Sequence, residues 1–301
     1  MKHTLSVTLA LLFFFLMAQV VGLLIINQYI DHKRTAVEQE IVMKPLPYGL
    51  ERPQVENQST SFIYITLAIL IGTFFVLLLV KFNKPFIWKA WFFVTVWLTL
   101  SIAFAAFINA IIAGILALAV TFLKAFKPNI FVQNSSEIFI YGGLAAIFVP
   151  ILNLFAAFML LLVISVYDFI AVYKTKHMIK LAKFQSKSKV FAGLFIPYEK
   201  GKIVSKSSAV VSEAPRKEKV KVAVLGGGDI GFTLIFAGVV MKSLMLKETI
   251  LVGFLKTLVI PIVVSIALLL LLIKGEQNKF YPAMPFLSMG CLIGYLIVWL
   301  I

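Results

Sequence analysis

Cysteine is almost absent from this 301-residue chain. Cys291 stands alone in an apolar run, which excludes an intrachain disulfide or a cysteine-built metal cluster. Histidine is nearly as scarce, with His3, His32 and His177 all at or beyond the ends of apolar runs. No His-Glu-x-x-His is present to bind zinc, and no histidine within a span can activate a serine. Charge is thin too: 14% of residues are charged against 61% hydrophobic, with a mean hydropathy of +1.01. Soluble domains carry about a quarter charged residues, so the chain reads as an integral membrane protein in contact with a lipid bilayer. Acids are the scarcer sign, 13 against 28 Lys and Arg, for a net charge of +15. That excess does not indicate nucleic acid, because the basic residues lie between hydrophobic runs and set topology there.

What is abundant is apolar length. A span needs ~20 mostly apolar residues. Nine stretches meet that rule, roughly 5–28, 61–80, 86–107, 109–126, 134–152, 154–174, 222–246, 249–273 and 283–301. Tight turns near Asn109 and Asn153 separate the third span from the fourth and the fifth from the sixth. The first stretch exceeds the usual ~7–15-residue core of a signal peptide and ends in no small-x-small site, so it reads as a retained span. With the N-terminus inside, alternation places 21 Lys and Arg on the cytoplasmic side and six outside, with Lys256 left within a span. The expectation is an all-α polytopic protein of the cell membrane with nine transmembrane helices, N-terminus cytoplasmic and C-terminus extracellular.

The chain reads as one membrane-embedded domain over 1–301: six helices in 5–174, a cytoplasmic loop at 175–221, and three helices in 222–301. A polar external loop at 31–60, with Pro45, Pro47 and Pro53, is expected to be irregular. Within the cytoplasmic loop, 177–184 places Met178, Leu181 and Ala182 on one face among lysines, as an interfacial helix does. The following stretch, 200–221, has the Lys, Ser, Val and Glu composition of a mobile segment. No internal repeat is visible, which weakens an inverted-repeat transporter.

Ten of the 13 acids fall in or beside polar loops, and Glu137 reads as a solvated helix end. Asp168 and Asp229 remain inside spans, where a carboxylate costs at least ~2.5 kcal/mol. Asp168 lies six residues before Lys174 and Asp229 eight after Lys221, so continuous helices put them about 9 and 12 Å inside the cytoplasmic face. Two carboxylates brought close share a proton, so one can activate water while the other protonates a peptide carbonyl. The same pair can bind a coupling ion or proton in a transporter, or merely tie helices together.

The neighbours favour chemistry. Gly226, Gly227 and Gly228 each cost a helix roughly 1 kcal/mol relative to alanine, so the turn before Asp229 is expected to be loosened. Pro282-Ala283-Met284-Pro285 opens the last span, where two prolines favour an extended backbone with exposed peptide groups. Pro261 is expected to kink the eighth span.

Together these residues resemble the presenilin and signal peptide peptidase family of GxGD intramembrane aspartyl proteases. Tyr167-Asp168 is similar to the family's YD motif, Gly226-Gly227-Gly228-Asp229 to GxGD, and Pro282-Ala283-Met284 to PAL. Span count, orientation and the long loop between helices six and seven match over essentially the whole chain, most like an archaeal presenilin homologue. Type IV prepilin peptidases share GxGD but lack the proline–alanine element. The resemblance implies a peptide hydrolase without a cofactor that cuts transmembrane helices or signal peptides of other proteins. It also implies Asp168 and Asp229 as the catalytic dyad, with Tyr167, Gly226, Gly227 and Gly228 shaping the site. Pro282, Ala283 and Met284 would support substrate. Met284 departs from the family's leucine by a volume-conserving change.

Overall fold

A computed structural model of the chain describes residues 4–127, 129–175, 181, 184–185, 190–198, 222–276 and 281–301. The segments 177–184 and 200–221, read as interfacial and mobile, therefore lie largely or wholly outside the described residues. The helices are α1 (Leu5–Tyr29), α2 (His32–Glu38), α3 (Ser61–Lys81), α4 (Pro85–Ala105), α5 (Ala110–Phe126), α6 (Ile130–Phe148), α7 (Leu154–Phe169), α8 (Gly227–Leu244), α9 (Ile250–Thr257), α10 (Val259–Lys274) and α11 (Met284–Leu300). Among the described residues, seven segments are long and apolar enough to cross a membrane: Leu5–Tyr29, Gln58–Lys81, Pro85–Ala105, Ile130–Ile151, Leu154–Lys174, Gly227–Leu244 and Ile250–Lys274. The remaining two expected spans, α5 and α11, are apolar helices of 17 residues each.

Local chemistry sets the boundaries. Asn109 and Asn153 end their turns as N-caps, accepting from Ile111 N–H at 2.9 Å and Ala156 N–H at 2.8 Å. The expected kink in the eighth span is a break at Leu258 between α9 and α10. Pro261 has no N–H for the Thr257 carbonyl, and its ring crowds that oxygen. Lys256, at this break, pairs with Glu248 at 2.6 Å, so it is not left alone in the span.

The external loop is more ordered than its composition predicts. Asp31 caps α2 by accepting from Arg34 N–H at 3.2 Å, and Arg34 pairs with Glu38 one turn on at 2.8 Å. Farther along, Tyr48 Oη donates to Ala110 O, and Arg52 Nε to Ala146 O at 3.2 Å, fastening the loop over the α5 and α6 ends. Burial lowers the Arg52 pKa from its ordinary value.

α1 packs on α6, α8 and α10, with Phe15, Leu23 and Ile26 fully buried. Close approach needs small residues: a Cβ on Gly142 of α6 would come within 3.1 Å of Gly22 Cα on α1.

Among the described residues a two-stranded sheet departs from an all-helical fold. Residues 222–226, expected as the start of the seventh span, form a strand, β2 (Val222–Gly226). It pairs antiparallel with β1 (Gly193–Pro197) in the register Gly193↔Gly226, Phe195↔Val224 and Pro197↔Val222. The period-two pattern decides it: Leu194, Ile196, Ala223 and Leu225 are buried, while Val224 faces outward. β1 packs on α1 and α6. Asn134 of α6 also holds it as a surrogate strand, accepting from Phe195 N–H at 2.9 Å and donating to Phe195 O at 2.7 Å.

Candidate active site

Asp168 lies next to the end of α7 and is buried, 7% exposed. The backbone then widens into a π-helical turn over Ile170–Lys174, closed by Thr175 N–H donating to Ile170 O at 3.0 Å. Such turns recur at functional sites. The Asp168 carboxylate reaches across to α11. Met284 N–H donates to its Oδ2 at 3.1 Å. The first amides of any helix lack intrahelical partners and carry the positive end of its dipole, so an acid from a neighbouring helix is a natural cap.

This geometry corrects the expected extended backbone at Pro282–Pro285. Ala283 has helical angles, φ −82° and ψ −33°, and Pro285 fits the first turn, where no N–H is needed. The peptide groups are used, not exposed. Pro282 and Met284 are buried and Ala283 half-buried. One turn inward, Ser165 and Ser288 share a 2.8 Å hydroxyl–hydroxyl bond that ties α7 to α11 again. Tyr167 is half-buried and donates to Thr73 on α3 at 3.2 Å.

Asp229 occupies the first turn of α8, a favourable place for a negative charge. The 12 Å depth expected for it assumed helix from Lys221 onward. With 222–226 a strand and α8 starting at Gly227, that figure no longer holds. Nor are the three glycines one loosened turn, because Gly227 and Gly228 are helical. Gly226, at φ −66° and ψ 145°, is the corner between strand and helix, and a Cβ there would meet Asp229 Oδ2 at 3.2 Å. At Gly227 a Cβ would lie 2.5 Å from the Tyr141 hydroxyl. Gly228 is exposed, with nothing nearer than 3.6 Å to such an atom. Thr233 Oγ1 donates to Asp229 O at 2.9 Å, and Gln19 Nε2 of α1 bonds Thr233 Oγ1 at 2.9 Å and Ile230 O at 3.0 Å.

The sequence reading misplaced one acid. Glu137 is no solvated helix end: its side chain is 1% exposed and pairs with Lys124, also 1% exposed, at 2.6 Å. Gln133 Nε2 donates to the same oxygen at 2.9 Å, and the Tyr141 hydroxyl donates to the other. Spacing held the missed signal, because Gln133, Glu137 and Tyr141 are four apart and share one face of α6. α7, α8 and α11, which carry the three motifs, pack pairwise against one another.

Comparison with known proteins bears on this arrangement. The family described as signal-peptide peptidase, presenilin aspartyl protease matches residues 37–301. A presenilin family intramembrane aspartate protease solved in space group C222 superposes with a TM-score of 0.61 at 19% identity, covering 96% of this chain and 95% of that one. A structure described in the same words in space group P2 gives 0.58 at 21% identity, covering 97% of each. At these identities the likeness concerns the fold. No curated protein matches the sequence.

Proposed function

This chain belongs to the signal-peptide peptidase, presenilin aspartyl protease family, and on that footing we propose that Asp168 and Asp229 are its two catalytic carboxylates. The substrate is a transmembrane helix or signal peptide of another protein, cut near its cytoplasmic side. One carboxylate takes a proton from water as the oxygen adds to the scissile carbonyl, and the other gives its proton to the carbonyl oxygen, forming a gem-diol. Collapse of the gem-diol breaks the C–N bond, the nitrogen takes up a proton, and an acid and an amine leave. Neither step needs a covalent intermediate.

The observation that carries this reading is the Asp168–Met284 bond, which joins two of the three motifs in one buried place. Gly228, exposed beside Asp229, leaves room for a substrate backbone. A helical substrate must first unwind, since its amides are already bonded internally. Among the described residues β2 has a partner on one side only, and its other edge offers the unwound strand a template. In this reading α5 and α11 also cross the cell membrane, giving nine spans with the N-terminus cytoplasmic and the C-terminus outside. The coupled-transport alternative gains no support from the family match.

The test is cleavage of a labelled transmembrane substrate in proteoliposomes by Asp168→Asn and Asp229→Asn. Each substitution is expected to abolish turnover, and retained turnover in either removes that residue from the dyad. Proline at Val222 or Val224 removes a strand amide and is expected to slow cleavage, whereas unchanged rates argue against strand addition.

A further inference from the structure

We propose that Glu137, held by Lys124, is a positioning residue that fixes both the turn presenting Asp229 and the strand beside it. The inference rests on the reading of Asp229 as catalytic.

The geometry starts from one buried carboxylate with a donor on every side. On Oε1 it accepts from Lys124 Nζ at 2.6 Å and Gln133 Nε2 at 2.9 Å, and on Oε2 from the Tyr141 hydroxyl. Ser136 Oγ takes another Lys124 proton at 2.8 Å. Two arms leave this centre. Through Gln133, whose Nε2 also donates to Phe191 O at 3.0 Å and Gly193 O at 2.8 Å, it grips the start of β1, opposite Gly226 in the sheet register. Through Tyr141 it sets a rigid ring against Gly227, two residues before Asp229.

Both strand and helix around the Gly226 corner are therefore anchored to the same carboxylate. A tyrosine free to swing would leave the α8 start unsupported on this side; bonded to Glu137, it cannot. The absence of a side chain at Gly227 is the complement of that ring. A Cβ there would lie 2.5 Å from the hydroxyl, 3.0 Å from Cε1 and 3.1 Å from Cζ. Misplacing a reacting group by about 1 Å can cost ~10²-fold in rate, so a buttress of this kind acts on the chemical step.

The experiment measures cleavage kinetics and binding of a hydroxyl-containing transition-state mimic in proteoliposomes. Tyr141→Phe is expected to lower kcat about tenfold and weaken the mimic similarly, with KM within about twofold. Gly227→Ala is expected to lower kcat about 100-fold, and adding Tyr141→Leu to recover at least about tenfold of that, a non-additivity marking direct contact. Glu137→Gln alone strands the Lys124 charge and risks misfolding. The companion variant is therefore Lys124→Met with Glu137→Leu, which replaces the pair by apolar groups and is expected to fold yet keep the low kcat. Wild-type kcat and mimic affinity in both Tyr141→Phe and that double variant, with no rescue of Gly227→Ala, overturn the proposal. Asp229→Asn run alongside separates the two readings: turnover there defeats the catalytic assignment itself, whereas an inactive Asp229→Asn beside unaffected Tyr141→Phe defeats the positioning role alone.

Discussion

Asp168 and Glu137 are both carboxylates inside apolar helices, and their surroundings could hardly differ more. Glu137 has a lysine ammonium, a glutamine amide and a tyrosine hydroxyl aimed at it. Asp168 has the neutral backbone amide of Met284 and, among the described residues, no cation paired with it. A carboxylate paired with a buried cation and saturated with donors is held in one place and serves as a strut. One bonded to a backbone amide beside a π-helical turn has no such clamp, which suits the proton exchange proposed for Asp168. Burial alone does not separate the two acids; the kind of partner does.

The comparison breaks most visibly at Asp168. Asparagine there keeps an acceptor oxygen for Met284 N–H but cannot trade protons, so Asp168→Asn is expected to lose turnover by ~10²–10⁴-fold or more while thermal unfolding stays near wild type. Glu137→Gln is expected to do the reverse in kind, losing about 3–5 kcal/mol of stability because Lys124 is left buried without its counter-charge. If calorimetry in detergent shows equal destabilisation by the two substitutions, the distinction between strut and reagent fails. The smallest expected effect lies at the Ser165–Ser288 bond, where Ser165→Ala removes one of the ties between α7 and α11. That change should cost about 0.6 kcal/mol, and a loss above ~2 kcal/mol would mean that the bond, not the Asp168 cap, holds the two helices together.

Much of the architecture was legible because lipid imposes a length. Runs of ~20 apolar residues stand out in any sequence, and the Asn109 and Asn153 turns between them carry their own capping side chains. The strand at Val222–Gly226 was hidden because a short apolar run does not distinguish a buried strand from the first turns of a span. Its partner, Gly193–Pro197, lay in what read as a polar loop, and antiparallel pairing joins residues distant in the chain. Of the candidate site, Asp168 and Asp229 were visible through the cost of burying charge. The link from Asp168 to Met284 was not, since a cap supplied by another helix leaves no local pattern. Glu137 was misjudged for a related reason: hydropathy saw an acid near a span end and could not see Lys124 facing it across a short connection.

The family match begins at residue 37, yet α1 lies before that boundary and packs on three other helices. Its Gln19 reaches the first turn of α8 through Thr233 and Ile230. A protein engineer who trims the gene to the recognised family limits would delete a helix on which α6, α8 and α10 all pack. A minimal active version is therefore expected to need residues that lie outside the family boundaries.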